Sequence, residues 1–174
     1  GFLQGVRDLS EKYKVVLIFD EVVTGFRFHR GGYQSVCGIT PDLACFSKAM
    51  GNGLPISALV GKQEIMENCT DIFYSLTFAG ETLSLAATKA VMEVIDEENV
   101  PQVIEKNGQY LMDEINSQIK IYDLQDVVAI DGFPCRSVMI FHDNQDIPAT
   151  DTRTYWIQEL TKKGILTAGN NIIS

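Results

Sequence analysis

The run VVLIFD at residues 15–20 limits the folds open to this chain more than any other stretch. Five apolar residues stand together without a polar interruption, and an acid ends them. Such a run is short for a helix and reads as a strand buried on both faces of a parallel sheet. LACFS at 43–47 and ISALVG at 56–61 read as two more short strands, separated by the glycine turn AMGNGLP. Helical patterns surround them. Phe2, Val6, Leu9 and Tyr13 recur at helical spacing over 2–13, and ETLSLAATKAVMEVIDEEN at 81–99 is a long helix with Pro101 marking its break.

The next helix, over about 102–119, carries Val103, Ile104, Leu111, Ile115 and Ile119 on one stripe. The texture then changes. VVAIDGF and SVMIFH predict a strand pair, TRTYWIQELTKKG a helix stopping at Gly164, and ILTA a further strand. Trp156, with Tyr155 and Leu160, is expected to pack that helix. Strands alternating with helices, followed by a smaller α+β piece, predict an α/β architecture with a boundary near 105–120.

Composition narrows the function. With a formal net charge of −9 and no Lys/Arg stripe, nucleic-acid binding through a basic face is excluded. No apolar run approaches the roughly 20 residues that span a bilayer, so no membrane partner is expected. GFLQGVRDLSEKYK is too polar for a signal peptide, and the missing initiator Met points to a chain cut from a longer one. Cys37, Cys45, Cys69 and Cys135 show neither a C-x-x-C pair nor zinc spacing, which predicts reduced, mostly buried thiols, a cytoplasmic protein and no metal site.

In α/β sheets ligands bind beyond the carboxyl ends of the strands. Two charged residues stand at such ends: Asp20 after VVLIF and Lys48 after LACFS. Singly, each has an ordinary explanation. An Asp-Glu pair after a strand begins a turn or caps a helix, and a lone lysine there is a solvated side chain. Thr77, in SLTFAGETLS, reads as a helix cap. Together they suit pyridoxal phosphate, which needs an amine for a Schiff base and a carboxylate at its ring nitrogen. Thr77 and the N–H groups of a helix starting near Glu81 would suit its phosphate. His29 and His142 have no partner pattern, and RGGYQ reads as a loop over the sheet edge rather than a phosphate cradle.

The ordered series LIFDEVVTGFRFHRGGYQSVCGITPDLACFSKAMGNGLPISALVG resembles the signature of class III pyridoxal-phosphate-dependent aminotransferases, a fold type I family. The matching pieces are D-E-V-x-T-G-F-R, P-D, S-K-A-M-G-x-G-L-P and TFAGETLSLAA. The resemblance implies a catalytic Schiff-base lysine at Lys48, which would move a proton between substrate and cofactor. It implies a ring-nitrogen partner at Asp20, an apolar cover for the ring at Val22, and a phosphate contact from a neighbouring subunit at Thr77. A homodimer acting on a small-molecule amino donor and a carbonyl acceptor follows. Val23 stands where many relatives carry a glutamine that bonds the cofactor's phenolic oxygen. That leans the resemblance toward glutamate-1-semialdehyde aminomutase-like members. GETLSLAA in place of G-N-P resembles aminomutase-like aminotransferases of sugar pathways.

On this resemblance residues 1–110 are the second half of the large cofactor-binding domain, and 111–174 begin a truncated small domain. A fragment of that kind is not expected to turn over substrate alone. Two other readings stand beside it: a non-catalytic family-derived binding segment, and an unrelated nucleotide-binding domain. The last ranks lowest, because no G-x-G-x-x-G or G-x-x-x-x-G-K-[ST] follows a strand.

Overall fold

A computed structural model describes all residues except 74, 145, 146, 168, 170, 173 and 174, and the side chains of 171 and 172. The chain forms two compact units, Gly1–Pro101 and Gln102–Ser174.

In the first unit, helix α1 (Phe2–Tyr13) ends at Lys14, whose left-handed backbone (φ 54°) turns the chain into strand β1 (Ile18–Asp20). A loop and the one-turn helix α2 (Tyr33–Cys37) lead to β2 (Leu43–Phe46), parallel to β1, with Asp20 level with Cys45. Strand β3 (Ala58–Gly61) returns antiparallel on the other side of β2, so the sheet is mixed. Helix α3 (Gln63–Met66), a 3-10 turn at Glu67–Thr70 and helix α4 (Thr82–Glu98) complete the unit. Its core gathers Phe26, Met50 and Ile95, with Phe46, Ala49, Ile56, Ala58, Val91, Met92 and Val100 against them.

Two expectations change here. VVLIFD is a strand only over its last three residues, and it is not buried on both faces: Val15, Val16 and Ile18 are 60%, 47% and 53% exposed. β1 is an edge strand of its sheet, and Phe2, Leu3 and Val6 of α1 leave a hollow against the run rather than covering it. The long helix stops at Asn99, left-handed at φ 50°, before Pro101 is reached. Pro101 lies instead in the first turn of helix α5 (Val100–Ile121), where a missing N–H leaves no hydrogen bond unmade.

The second unit builds on the rest of α5. Strands β4 (Val128–Phe133) and β5 (Arg136–Phe141) form an antiparallel hairpin, and helix α6 (Ala149–Lys162) follows. Gly108 of α5 lies so close to the Pro134 carbonyl that a Cβ would collide with it, which explains a glycine in mid-helix. Ile119, Val128, Ile130 and Met139 form the core, flanked by Met112, Ile115, Phe141 and Trp156. Trp156 packs as expected, 5.6 Å from the Phe141 ring, whereas Tyr155 is 65% exposed and faces solvent.

ILTA is not a strand at 165–167, and Ala168 lies outside the described residues; the third strand of this sheet is β6 (Asn171–Ile172), paired with β5. None of the four thiols is in a disulfide, and only Cys135 is buried, so they are not mostly buried. No described helix is long and apolar enough to cross a membrane.

Candidate active site

The parallel pairing of β1 and β2 brings two strand ends to one rim. Asp20 is the last residue of β1 and is level with Cys45, three positions before Lys48 on the neighbouring strand. Adjacent strands lie about 4.8 Å apart. Lys48 opens a 3-10 turn, Lys48–Met50, and its own backbone is left-handed at φ 47°. A non-glycine residue held there costs about 1–2 kcal/mol, a strain that concentrates at functional positions.

The glycine turn supplies the constraint. Gly51 N–H and Asn52 N–H both donate to the Lys48 carbonyl, and a Cβ on Gly51 would lie 2.5 Å from Ile56. Ser47 Oγ donates to the Ile56 carbonyl at 2.7 Å and closes the loop from its far side. The Lys48 side chain is exposed, and its ammonium makes no ion pair or hydrogen bond among the described residues.

Asp20 is exposed as well. Its Oδ1 accepts the Val22 N–H at 3.0 Å, and its other oxygen has no partner among the described residues. Asp20 lines a hollow of about 430 Å³ with Phe2, Leu3, Glu21, Thr24 and Tyr33. Thr77 lines a different hollow, of about 520 Å³, with Ser47, Ser57, Phe78, Glu81 and Ser84. Strand register places Asp20 level with Cys45, three residues before Lys48, and Thr77 shares its hollow with Ser47, the residue before Lys48; Lys48 itself lines neither hollow. Val22 and Val23 are half-buried in the loop after β1.

The start of α4 is not open to a phosphate as expected. The Glu81 carboxylate already accepts Leu83 N–H at 2.7 Å, Ser84 N–H at 2.6 Å and Ser84 Oγ–H at 2.5 Å. The serine hydroxyl and those two N–H groups hold the Glu81 carboxyl below its ordinary range. A charged side chain thus occupies the anion position of the helix, and the Thr77 hydroxyl remains as the donor of that loop. RGGYQ forms no phosphate cradle either, because the Tyr33 and Gln34 N–H groups go to a carboxylate of the chain itself. His29 is a loop residue whose Nδ1 accepts the Gly31 N–H at 3.0 Å.

Two carboxylates that the sequence reading gave no separate role organise the two ends of this strand pair, Glu21 at the rim and Asp42 at the opposite, amino-terminal end of β1 and β2. Glu21 is 1% exposed and gathers donors from residues up to 13 positions away. Asp42 accepts the Leu17 N–H at 2.7 Å, Lys62 Nζ at 2.8 Å and Arg7 Nη2 at 3.1 Å. Those donors, Leu17 first, hold its carboxyl well below the usual carboxylate range. Their one sequence signal is an acid beside an apolar run, which is too common to single them out.

The family model described as aminotransferase class-III matches residues 1–174, and the chain belongs to that family. It is 40% identical over 119 residues to a glutamate-1-semialdehyde 2,1-aminomutase of Syntrophobacter fumaroxidans, covering 67% of this chain and 28% of that protein. It is 38% identical over 121 residues to a 3-aminobutyryl-CoA aminotransferase of Cloacimonas acidaminovorans, covering 69% of this chain and 29% of that protein. Among solved structures, the FumI protein of Sphingopyxis sp. MTA144 in its PLP internal aldimine form superposes with a TM-score of 0.86 at 25% identity. That match covers 96% of this chain and 39% of FumI. The fold is therefore that of the PLP-dependent transaminases, fold type I, and the chain spans less than half the length of these relatives.

Proposed function

We propose that this chain carries the lysine-bearing part of a pyridoxal-phosphate-dependent class III aminotransferase or 2,1-aminomutase-like enzyme. Residues 1–110 would be the second half of its large domain and 111–174 the start of its small one. The observation that carries the reading is the pair of unpartnered groups, the Lys48 amine and one Asp20 oxygen, on the ends of adjacent parallel strands. Pyridoxal phosphate fits this donor set, and when bound it supplies an electron sink that acidifies a carbon bearing an amino group.

The Lys48 amine would hold the cofactor and, once released, carry a proton at Nζ. Its exposed side chain leaves the amine free to swing. The open Asp20 oxygen would accept the ring N–H. Val22 would cover a ring face, and Thr77 would donate to the phosphate from a neighbouring subunit. Phe73 and Phe78, 96% and 57% exposed on either side of Thr77, support a loop that packs on a second copy in a homodimer. The substrates would be a small amino donor and a carbonyl acceptor, met in the cytoplasm. Both the aminomutase and the aminotransferase among the relatives support that class.

Borohydride reduction after incubation with pyridoxal phosphate tests this in the polypeptide of the complete reading frame. The parent protein should yield a labelled peptide containing Lys48, and Lys48→Ala should yield none. Label on the same peptide of the Ala variant overturns the assignment.

A further inference from the structure

The loop between β1 and α2 closes around one side chain. Glu21 is 1% exposed, and its carboxylate accepts the Tyr33 N–H and the Gln34 N–H, each at 2.9 Å, and the Thr24 hydroxyl. Gln34 Nε2 adds a longer contact at 3.5 Å. Gly32, at φ 81°, approaches so closely that a Cβ there would lie 2.5 Å from the carboxylate carbon. The backbone is tied at the same residue, because Glu21 N–H donates to the Cys45 carbonyl at 2.9 Å and Gly25 N–H to the Glu21 carbonyl at 2.8 Å.

One residue thus joins the end of β1, the end of β2 and the start of α2. Neither Asp20 nor Lys48 has a comparable anchor of its own. The loop also delivers Phe26, buried and left-handed at φ 63°, against Phe46 at 5.8 Å and into the cluster with Met50, at the end of the turn Lys48 opens.

We infer that Glu21 is a positioning residue: its buried carboxylate fixes Asp20 directly, as its chain neighbour, and Lys48 through Phe26 and Met50. This rests on the cofactor reading above. A carboxylate with four donors tolerates little movement, because each unmade bond would leave a buried polar group unsatisfied. The arrangement therefore holds two exposed, otherwise loose side chains at a fixed separation.

The test titrates pyridoxal phosphate into the protein of the complete reading frame, reading its dissociation constant, the pH midpoint of the visible absorbance and the thermal midpoint. Glu21→Ala should weaken binding by about tenfold to a hundredfold, the worth of charge-assisted hydrogen bonds. It should also move the absorbance midpoint by about half a unit or more. Glu21→Gln, which keeps one acceptor oxygen, should recover part of both. Thr24→Val, which removes a single donor, should shift both in the same direction by less.

Unchanged affinity and midpoint in Thr24→Val and Glu21→Gln overturn the inference, as does a drop in thermal midpoint alone. Failure of the parent protein to take up the cofactor overturns the reading beneath it instead.

Discussion

The two units are ordered by different means. In Gly1–Pro101 the strands have three or four residues, and Ser10, Glu21, Asp42, Ser84 and Thr88 are buried beside a sparse apolar core. In Gln102–Ser174 the hairpin strands have six residues each, and among the described residues of that unit Ser137 alone is a buried polar side chain. The first unit spends its interior on acids that bind backbone N–H groups; the second is held by side chains that avoid water. A loop that must present an amine and an acid at fixed places needs directional bonds, which apolar packing does not provide.

Removing the acid that ties α1 to the sheet should strain this contrast most. Asp42→Ala leaves the Leu17 N–H without its acceptor and Arg7 with Glu11 and the Thr40 carbonyl alone, and loss of one member of a buried pair costs about 4 kcal/mol. Amide hydrogen exchange should show the first unit opening while 128–141 keeps its protection. Equal loss in both units breaks the comparison.

Acid sharpens it without mutation. The folded Asp42 carboxyl lies below its unfolded value, so its stabilisation is fully present above about pH 4 and is lost as pH falls below that. Protection should therefore disappear first from the first unit in a pH series. The reverse order counts against the contrast.

In the second unit the matching experiment is Met139→Ala, at a side chain 5% exposed in the core. A cost of about 3 kcal/mol by denaturant titration is expected, with exchange rising in 128–141 and unchanged near Glu21.

The smallest effect has the opposite sign. Lys48→Gly relieves a left-handed lysine at φ 47° and should gain about 0.5 kcal/mol after glycine's own entropic cost, while cofactor trapping disappears. Destabilisation by this variant would mean that the lysine stem packs the rim rather than serving it.

The strand at LACFS, the helix at 81–99, the hairpin around 128–141 and the helix ending at Gly164 were legible, because periodicity and turn residues act over short spans. The parallel pairing that puts Asp20 level with Cys45, three residues before Lys48, follows from two short strands of one sheet. The exposure of Val15, Val16 and Ile18 was not legible, because a hydrophobic pattern says a face will be covered without saying by what.

Glu21 and Asp42 were also hidden. Apart from Thr24, three residues from Glu21, their partners lie 12 to 35 residues away in sequence and include backbone N–H groups, which no side-chain pattern marks. Glu81 shows the same limit at short range: a carboxylate three residues from Ser84 was written in the chain, but only folding showed that it takes the helix start from any phosphate. The sequence by itself determined the longer helices, the hairpin, the family and two charged residues following apolar runs. Only the tertiary structure decided what holds those ends still, because hydrogen bonds form between atoms brought together by folding, whatever their separation along the chain.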